Sequence, residues 1–274
     1  MKTTSKAFTL IELLVVIAII GLLASIVLVS FRGQREKAEL TKGLEFSAQL
    51  GRIMGANAVG WWDFEEGSGT IAKDSSGHGN DGTISLATYT TDTPYSAAGI
   101  SGGSKYALSF DGDDLVTVPH RSSFVGLNSI TVSAWVKLNN TNVQRIVDKG
   151  WNGPGSFLLF VENSKFTFGV INSRGGDYRA KANFIPKINT WYHLTGVFDG
   201  NRVMIYVNGK LSASTPTSGS GFLTTTSNLT ISTPGFGAFN GLIDEVRIYS
   251  RALSSAEIQK LYAEGLPYHQ LAER

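Results

Sequence analysis

The chain has 274 residues, with 24 basic and 22 acidic side chains and a net charge of +2. That balance excludes the strongly basic surface that steers proteins to nucleic acid, and no nucleic-acid partner is expected. The absence of cysteine excludes a disulfide framework, a thiolate zinc site and a thiol nucleophile.

The first element is an apolar run from Phe8 to about Phe31, in which Glu12 is the one formal charge. About 20 apolar residues suffice for a helix to cross a bilayer. A secretory signal peptide has an apolar region of about 7–15 residues, shorter than this run. A carboxylate at membrane depth is costly and marks a functional position. Flanking charge leaves the orientation open, because Lys2 and Lys6 precede the run while Arg32, Arg35, Lys37 and Lys42 follow it. Good helix formers continue past it, and Leu40, Leu44, Ser47 and Leu50 share one helix face, so one helix is expected over 8–54. Its membrane part is about 8–31. Gly55 to Gly60 then reads as a helix stop and hinge.

Beyond the hinge the apolar period changes from helical to alternating. Ile130, Val132, Ala134, Val136 and Leu138 fall on one face of a strand. Phe157–Phe160, Lys165–Val170, Trp191–Phe198, Val203–Val207, Leu229–Ser232 and Leu242–Tyr249 also read as strands. Asp199-Gly200 and Asn208-Gly209 are turn dipeptides. They predict the hairpin Trp191–Phe198, Asp199-Gly200-Asn201, Arg202–Val207. The many short strands predict an antiparallel sandwich over 61–265, and hence a mainly β chain. Near the end, Ser254 is placed as an N-cap, Glu257 closes a capping box, and Leu253 and Ile258 stand at staple positions. A short C-terminal helix follows, ended by Gly265, with a tail over 266–274.

The segment Lys6-Ala7-Phe8-Thr9-Leu10-Ile11-Glu12 and the apolar helix behind it resemble a type IV pilin-like or pseudopilin leader. The family has Gly where this chain has Ala7. The resemblance implies a leader at 1–7, prepilin-peptidase cleavage between Ala7 and Phe8, and N-methylation of Phe8. It implies that Glu12 pairs with the Phe8 amine of a neighbouring subunit during filament assembly. The precursor would sit in the cytoplasmic membrane with its amino end inside. It would then pass to a pilus at the cell surface or to an envelope-spanning pseudopilus. Its partners would be the peptidase, the membrane and other pilin-like subunits.

A second set of segments resembles a laminin G-like, concanavalin A-like lectin/glucanase domain. They are Trp62–Gly69, Asp74–Gly82, Leu108–Asp114, Ile130–Val136, Trp191–Gly200, Tyr206–Gly209 and Asn240–Tyr249, in that order. The resemblance implies a jelly roll of two antiparallel sheets that binds a glycan or surface protein. On this reading the chain is a filament subunit with a binding head, and not an enzyme. The alternatives are a purely structural major subunit and an anchored, exported carbohydrate-active enzyme. Glucanases of this broad fold use closely spaced acidic residues on one strand, and no confident strand shows such a pair.

Several residues have two readings. Asp74, Asp111 and Asp244 lie in glycine-rich turns. They are turn formers, or ligands to one structural Ca2+, which takes six to eight oxygens and which similar domains hold where early and late segments meet. Trp151, Tyr178, Phe236 and Phe239 lie in expected loops, where they cover a sandwich edge or form a sugar platform. Asn152, Arg174, Asp177 and Arg179 are polar neighbours of that set. Trp135 is out of phase with the apolar face of its strand, and Trp191 is read as core. The four histidines are scattered, and His193, inside a strand, reads as structural. Gly77–Gly82 has the glycines of a dinucleotide loop without its strand–turn–helix setting, and carries no such assignment.

Overall fold

The computed structural model describes residues 57–97, 104–151, 153–218, 223–235 and 237–264, with Leu10, Leu14, Val15, Ile17 and Gly55. The chain divides into two compact units, Met1–Ile53 and Met54–Arg274. In the first, the four described residues are helical in backbone and exposed. The assignments of Ala7, Phe8, Glu12 and the continuous helix over 8–54 lie outside the described residues. Among the described residues no helix is long and apolar enough to cross a membrane.

In the second unit, alternating apolar side chains build two eight-stranded antiparallel sheets. The strands are β1 Ala58–Trp62, β2 Ile71–Ala72, β3 Gly82–Ser85, β4 Thr88–Thr90, β5 Ala107–Asp111, β6 Leu115–Val118, β7 Ile130–Leu138 and β8 Gln144–Lys149. They continue as β9 Ser156–Glu162, β10 Lys165–Ile171, β11 Asp177–Lys181, β12 Trp191–Phe198, β13 Arg202–Val207, β14 Lys210–Pro216, β15 Leu229–Ile231 and β16 Asn240–Tyr249. The first sheet runs β14-β13-β12-β7-β16-β5-β4, with β1 also paired to β16. The second runs β11-β10-β9-β8-β15-β6-β3-β2. Their inner faces share one core that includes Trp62, Phe110, Val132, Phe157, Phe168 and Ile248. Gly196 is required at one close approach: a Cβ there would lie 2.2 Å from the Phe168 ring across the sandwich.

The hairpin of β12 and β13 forms as expected. Asp199 Oδ1 accepts from the amides of Asn201 and Arg202 at 2.8 and 2.7 Å, and Gly200 takes φ +91°. Asn208 and Gly209 both take positive φ, which the following tight turn demands. The C-terminal helix is Ser255–Glu264. Ser254 Oγ accepts from Glu257 N at 3.3 Å, and Glu257 Oε2 accepts from Ser254 N at 2.8 Å, completing the capping box.

Two expectations change, and the placement of Trp135 is decided. β1 starts at Ala58, inside the segment 55–60 read as a hinge, because Ala58 pairs with Tyr249 and Trp62 with Val246. Tertiary pairing outweighs the weak strand propensity of Ala-Val-Gly. Trp191 is half-buried rather than core, and its Nε1 donates to Asp92 Oδ1 at 3.0 Å. Trp135 faces a second layer. Its ring lies 5.2 Å from His193 and 5.7 Å from Tyr262 of the C-terminal helix. Ile258 and Leu261 of that helix, with Leu253 just before it, pack on Val197, Tyr206 and Tyr249 on the outer face of the first sheet.

Candidate functional site: an open groove and a carboxylate cluster

The outer face of the second sheet carries its own side-chain array, set by strand register. Arg145, Phe160, Thr167 and Lys181 form one cross-strand row. Asp148, Leu158, Gly169 and Arg179 form the next. Trp151 leans over Gly169, where a Cβ would meet its ring at 2.7 Å; only glycine leaves room for the indole. The Trp151 ring lies 5.8 Å from Phe160, and the Arg179 guanidinium stands 5.1 Å from its centroid, a cation–π distance. Asp148 Oδ1 accepts from Trp151 N at 2.9 Å, which holds the loop onto the sheet.

These residues bound a groove of about 320 Å3 lined by Val143, Arg145, Trp151, Leu158, Phe160, Glu162 and Arg179. Its size is at the lower end of small-ligand sites, about 300–1,000 Å3. The floor is apolar, with Leu158 and Phe160 nearly fully buried. Its rim is ionic: Arg145 bonds Asp148 at 2.8 Å, Arg179 bonds Glu162 at 2.6 Å and Asp177 at 2.7 Å, and Lys181 pairs with Glu162 at 2.7 Å. An aromatic edge beside hydrogen-bonding side chains is the chemistry that receives a sugar ring. A hollow of about 410 Å3 near Phe184, Leu211 and Tyr262 is larger. Its amides are spent on structure, since Asn208 Oδ1 accepts from His193 N and Asn183 Oδ1 from Ser212 Oγ.

Of the aromatic platform expected from sequence, the structure retains Trp151 in the groove, joined by Arg179 and Asp177. Tyr178 pairs with Val170, one position out of phase with Arg179, so it points to the opposite face. There its hydroxyl bonds Ser218 O at 2.9 Å. Phe239 is corrected: it is fully buried in the core, edge-on to Phe110 with centroids 5.9 Å apart. Phe236 lies outside the described residues. Sequence reasoning missed Arg145, Phe160 and Glu162; Arg145 sits in β8 and the other two in β9, whose unbroken apolar run Phe157–Val161 does not distinguish one face from the other.

The acidic residues also separate. Asp74 accepts four hydrogen bonds, from Trp61 N, Ser76 N, Ser76 Oγ and Asn80 N, at 2.8–3.0 Å. These fill the roughly four lone-pair sites of a carboxylate and tie the loop after β2 to β1. Asp111, Asp113 and Asp114 converge within 4.8 Å on the turn between β5 and β6. Burial raises Asp114 above the usual carboxylate range, and a hydrogen bond with Asp111 raises Asp113.

Asp244 is fully buried at a bulge in β16. Burial, then the charges of Glu245 and Glu65, push it well above the usual range. The Ser104 hydroxyl lies 2.9 Å from Asp244 Oδ2, 2.8 Å from Glu65 Oε1 and 2.8 Å from the Tyr106 carbonyl. One hydroxyl proton serves three acceptors. Phe64 and Glu245, next to Glu65 and Asp244, take positive φ (53° and 50°), so backbone strain accompanies both carboxylates. Two carboxylates, a hydroxyl and a carbonyl are the hard oxygens that calcium prefers. The calcium implied by the family resemblance therefore fits Asp244 with Glu65 better than it fits Asp74.

Comparison with known proteins follows the same division. The family model for the concanavalin A-like lectin/glucanases superfamily matches residues 110–259, more than half of the chain. That for the prokaryotic N-terminal methylation motif matches residues 2–28. No curated protein matches the chain. Among solved structures, domain 4 of AbnA is similar with a TM-score of 0.60, at 20% identity over 76% of this chain and 98% of that one. AbnA is a GH43 extracellular arabinanase from Geobacillus stearothermophilus, and that structure is in complex with arabinotriose. The binding domain of Paraclostridial Mosquitocidal Protein 1 is similar at 16% identity over 76% of this chain and 52% of that one, TM-score 0.60. The ligand binding domain of Botulinum neurotoxin serotype D, in complex with N-acetylneuraminic acid, is similar at 13% identity over 77% of this chain and 52% of that one, TM-score 0.57. This chain thus spans about half the length of the toxin domains, and at these identities the likeness is one of fold. The chain belongs to the concanavalin A-like lectin/glucanases superfamily, and carries a prokaryotic N-terminal methylation motif ahead of that domain.

Proposed function

We propose that this protein is a pilin-like filament subunit whose sandwich is a glycan-binding head displayed at the cell surface or on an envelope-spanning fibre. The observation that carries the reading is an open groove with an aromatic edge, in a lectin-like domain that follows a methylation motif. Similar folds in complex with arabinotriose and with N-acetylneuraminic acid support a sugar as the ligand. The head acts by binding, not by catalysis: the groove's carboxylates Glu162 and Asp148 are each committed to a cation.

In this reading prepilin peptidase cuts between Ala7 and Phe8 and the Phe8 amine is methylated. Glu12 then pairs with that amine on a neighbouring subunit, because a carboxylate inside a filament core needs a partner. The leader 1–7, helix 8–54, head and tail 266–274 are the corresponding parts. Mass spectrometry of sheared surface material tests it. The expected amino terminus is N-methylated Phe8, and an intact Met1 in assembled fibres would overturn it. Glu12→Leu should leave cleavage intact and lower fibre yield.

One structural Ca2+ at Asp244, Glu65, Ser104 and the Tyr106 carbonyl belongs to the same proposal. Bound there, it would compensate two carboxylates and tie β16 to the loop after β1. Added calcium should stabilise the full chain by about 2.7 kcal/mol at a hundredfold excess over Kd, read as a rise in melting temperature. Asp244→Asn should abolish that response, and a melt indifferent to calcium and chelator would remove the ion from the account.

A further inference from the structure

The groove on the second sheet also restricts the class of glycan it can take. Its cations and carboxylates come in matched sets. Arg145 is held by Asp148, and Arg179 and Lys181 are held by Glu162 and Asp177. Three positive side chains thus face three negative ones. Among the described residues lining this groove, each cation has a carboxylate at 2.8 Å or less. An acidic sugar would meet cations whose charge is already offset, and would bring a further negative charge beside Asp148, Glu162 and Asp177. Drawing Arg145 to the ligand instead would leave Asp148, whose side chain is only 7% exposed, without its cation. Leaving a buried charge unpaired costs more than the new pair returns.

An uncharged sugar meets no such obstacle. Its hydroxyls both donate and accept. A carboxylate already bonded to a guanidinium keeps free lone pairs, and each guanidinium has five N–H donors. Hydroxyls can therefore bridge the ion pairs without separating them. Beside them the partly exposed Trp151 ring offers an apolar surface for the C–H face of the sugar, with Leu158 and Phe160 packed beneath.

We infer that the groove at Trp151, Phe160, Arg145 and Arg179 binds uncharged glycans and discriminates against sialylated, uronate-containing and sulfated ones. The inference rests on the groove being the ligand site, as proposed above, and adds the charge class of the ligand.

The test uses the full chain in detergent micelles on an array of uncharged pentose and hexose oligosaccharides beside sialylated, uronate and sulfated ones, at low and high salt. Uncharged glycans should be retained, with affinity independent of salt, because no net ion pairing is made or lost. Trp151→Ala should weaken that binding about tenfold or more, the scale of an aromatic anchor. Trp151→Phe keeps a ring over Gly169, and should retain most of the affinity; this guards against loss of fold. Trp151-dependent retention of acidic glycans that falls with salt would overturn the charge class and leave the groove as the ligand site. No retained glycan, or binding of uncharged glycans that Trp151→Ala does not change, would overturn the groove and this inference together.

Discussion

The two sheets of the sandwich share a core but treat their outer faces in opposite ways. On the first sheet, Thr131, Ser133 and Trp135 of β7 are all buried although they point away from the core. The C-terminal segment covers this face: Leu253 N donates to Thr131 Oγ1, the Tyr262 ring lies 5.7 Å from Trp135, and Leu253, Ile258 and Leu261 pack on Val197, Tyr206 and Tyr249. The second sheet has Leu158, Phe160 and Trp151 outside, framed by ion pairs, around a groove rather than a helix. A face closed by a helix contributes to stability, whereas the face with an aromatic ring and satisfied charges is the one proposed above to receive a ligand. Function in this fold is therefore expected on the second sheet, and stability is concentrated on the first.

Mutation should separate the two faces. The largest effect is expected on the covered one, where Ile258→Ala should cost about 2–5 kcal/mol, as for other fully buried aliphatic truncations. Urea denaturation measures it, and ligand binding at the groove should not change. Equal losses of binding and stability would break the comparison.

The second sheet carries an unusual group on its inner side. Lys149 is fully buried, with its ammonium bonded to the Ser227 carbonyl and 5.7 Å from the centroid of the Phe124 ring. Burial lowers its pKa from 10.5 to about 8. Between those values the unfolded chain binds the proton that the folded chain has released, so stability rises with pH across that window. Below pH 8 the cost of the buried charge is present in full. Lys149→Met should flatten the rise, as read from urea midpoints at successive pH values. An unchanged slope would assign it to other groups.

Trp151→Ala is expected to cost only about 1 kcal/mol of stability, because the indole is partly exposed, while binding is lost. A cost as large as that of Ile258→Ala would make the open face structural after all. The smallest effect belongs to the rim of the covering helix. Hydrogen bonds from Arg251 hold Glu257 down to about 2 from 4.5. Its contribution is complete above about pH 4.5 and is lost as the pH falls through 2. Glu257→Gln should therefore remove about 0.5 kcal/mol at neutral pH and little at pH 2, as acid titration of the melting temperature would show.

Much of this was legible in the chain because it is local. Trp191–Val207 is read as a hairpin from its own turn residues, and Ser254–Glu257 as a capping box from its own spacing. β1 was missed because Ala58-Val-Gly60 has little strand character without β16 beside it. β11 and β14 were missed because their exposed, polar sequences show no apolar alternation. The members of the candidate platform separate for a related reason. Trp151 and Tyr178 both carry rings, but strand period alone puts Tyr178 on the other side of its sheet from Arg179.

The methylation motif, the alternating strands, the tight turns and the helix start were determined by the sequence itself, since each depends on residues within a few positions of one another. Which outer face is covered, and which side chains meet in the groove, only the tertiary structure decided. Arg145, Trp151, Phe160 and Arg179 come from four separate stretches of chain, and Asp244 reaches Ser104 across 140 positions. Such meetings follow from the order and register of paired strands, which no local pattern encodes.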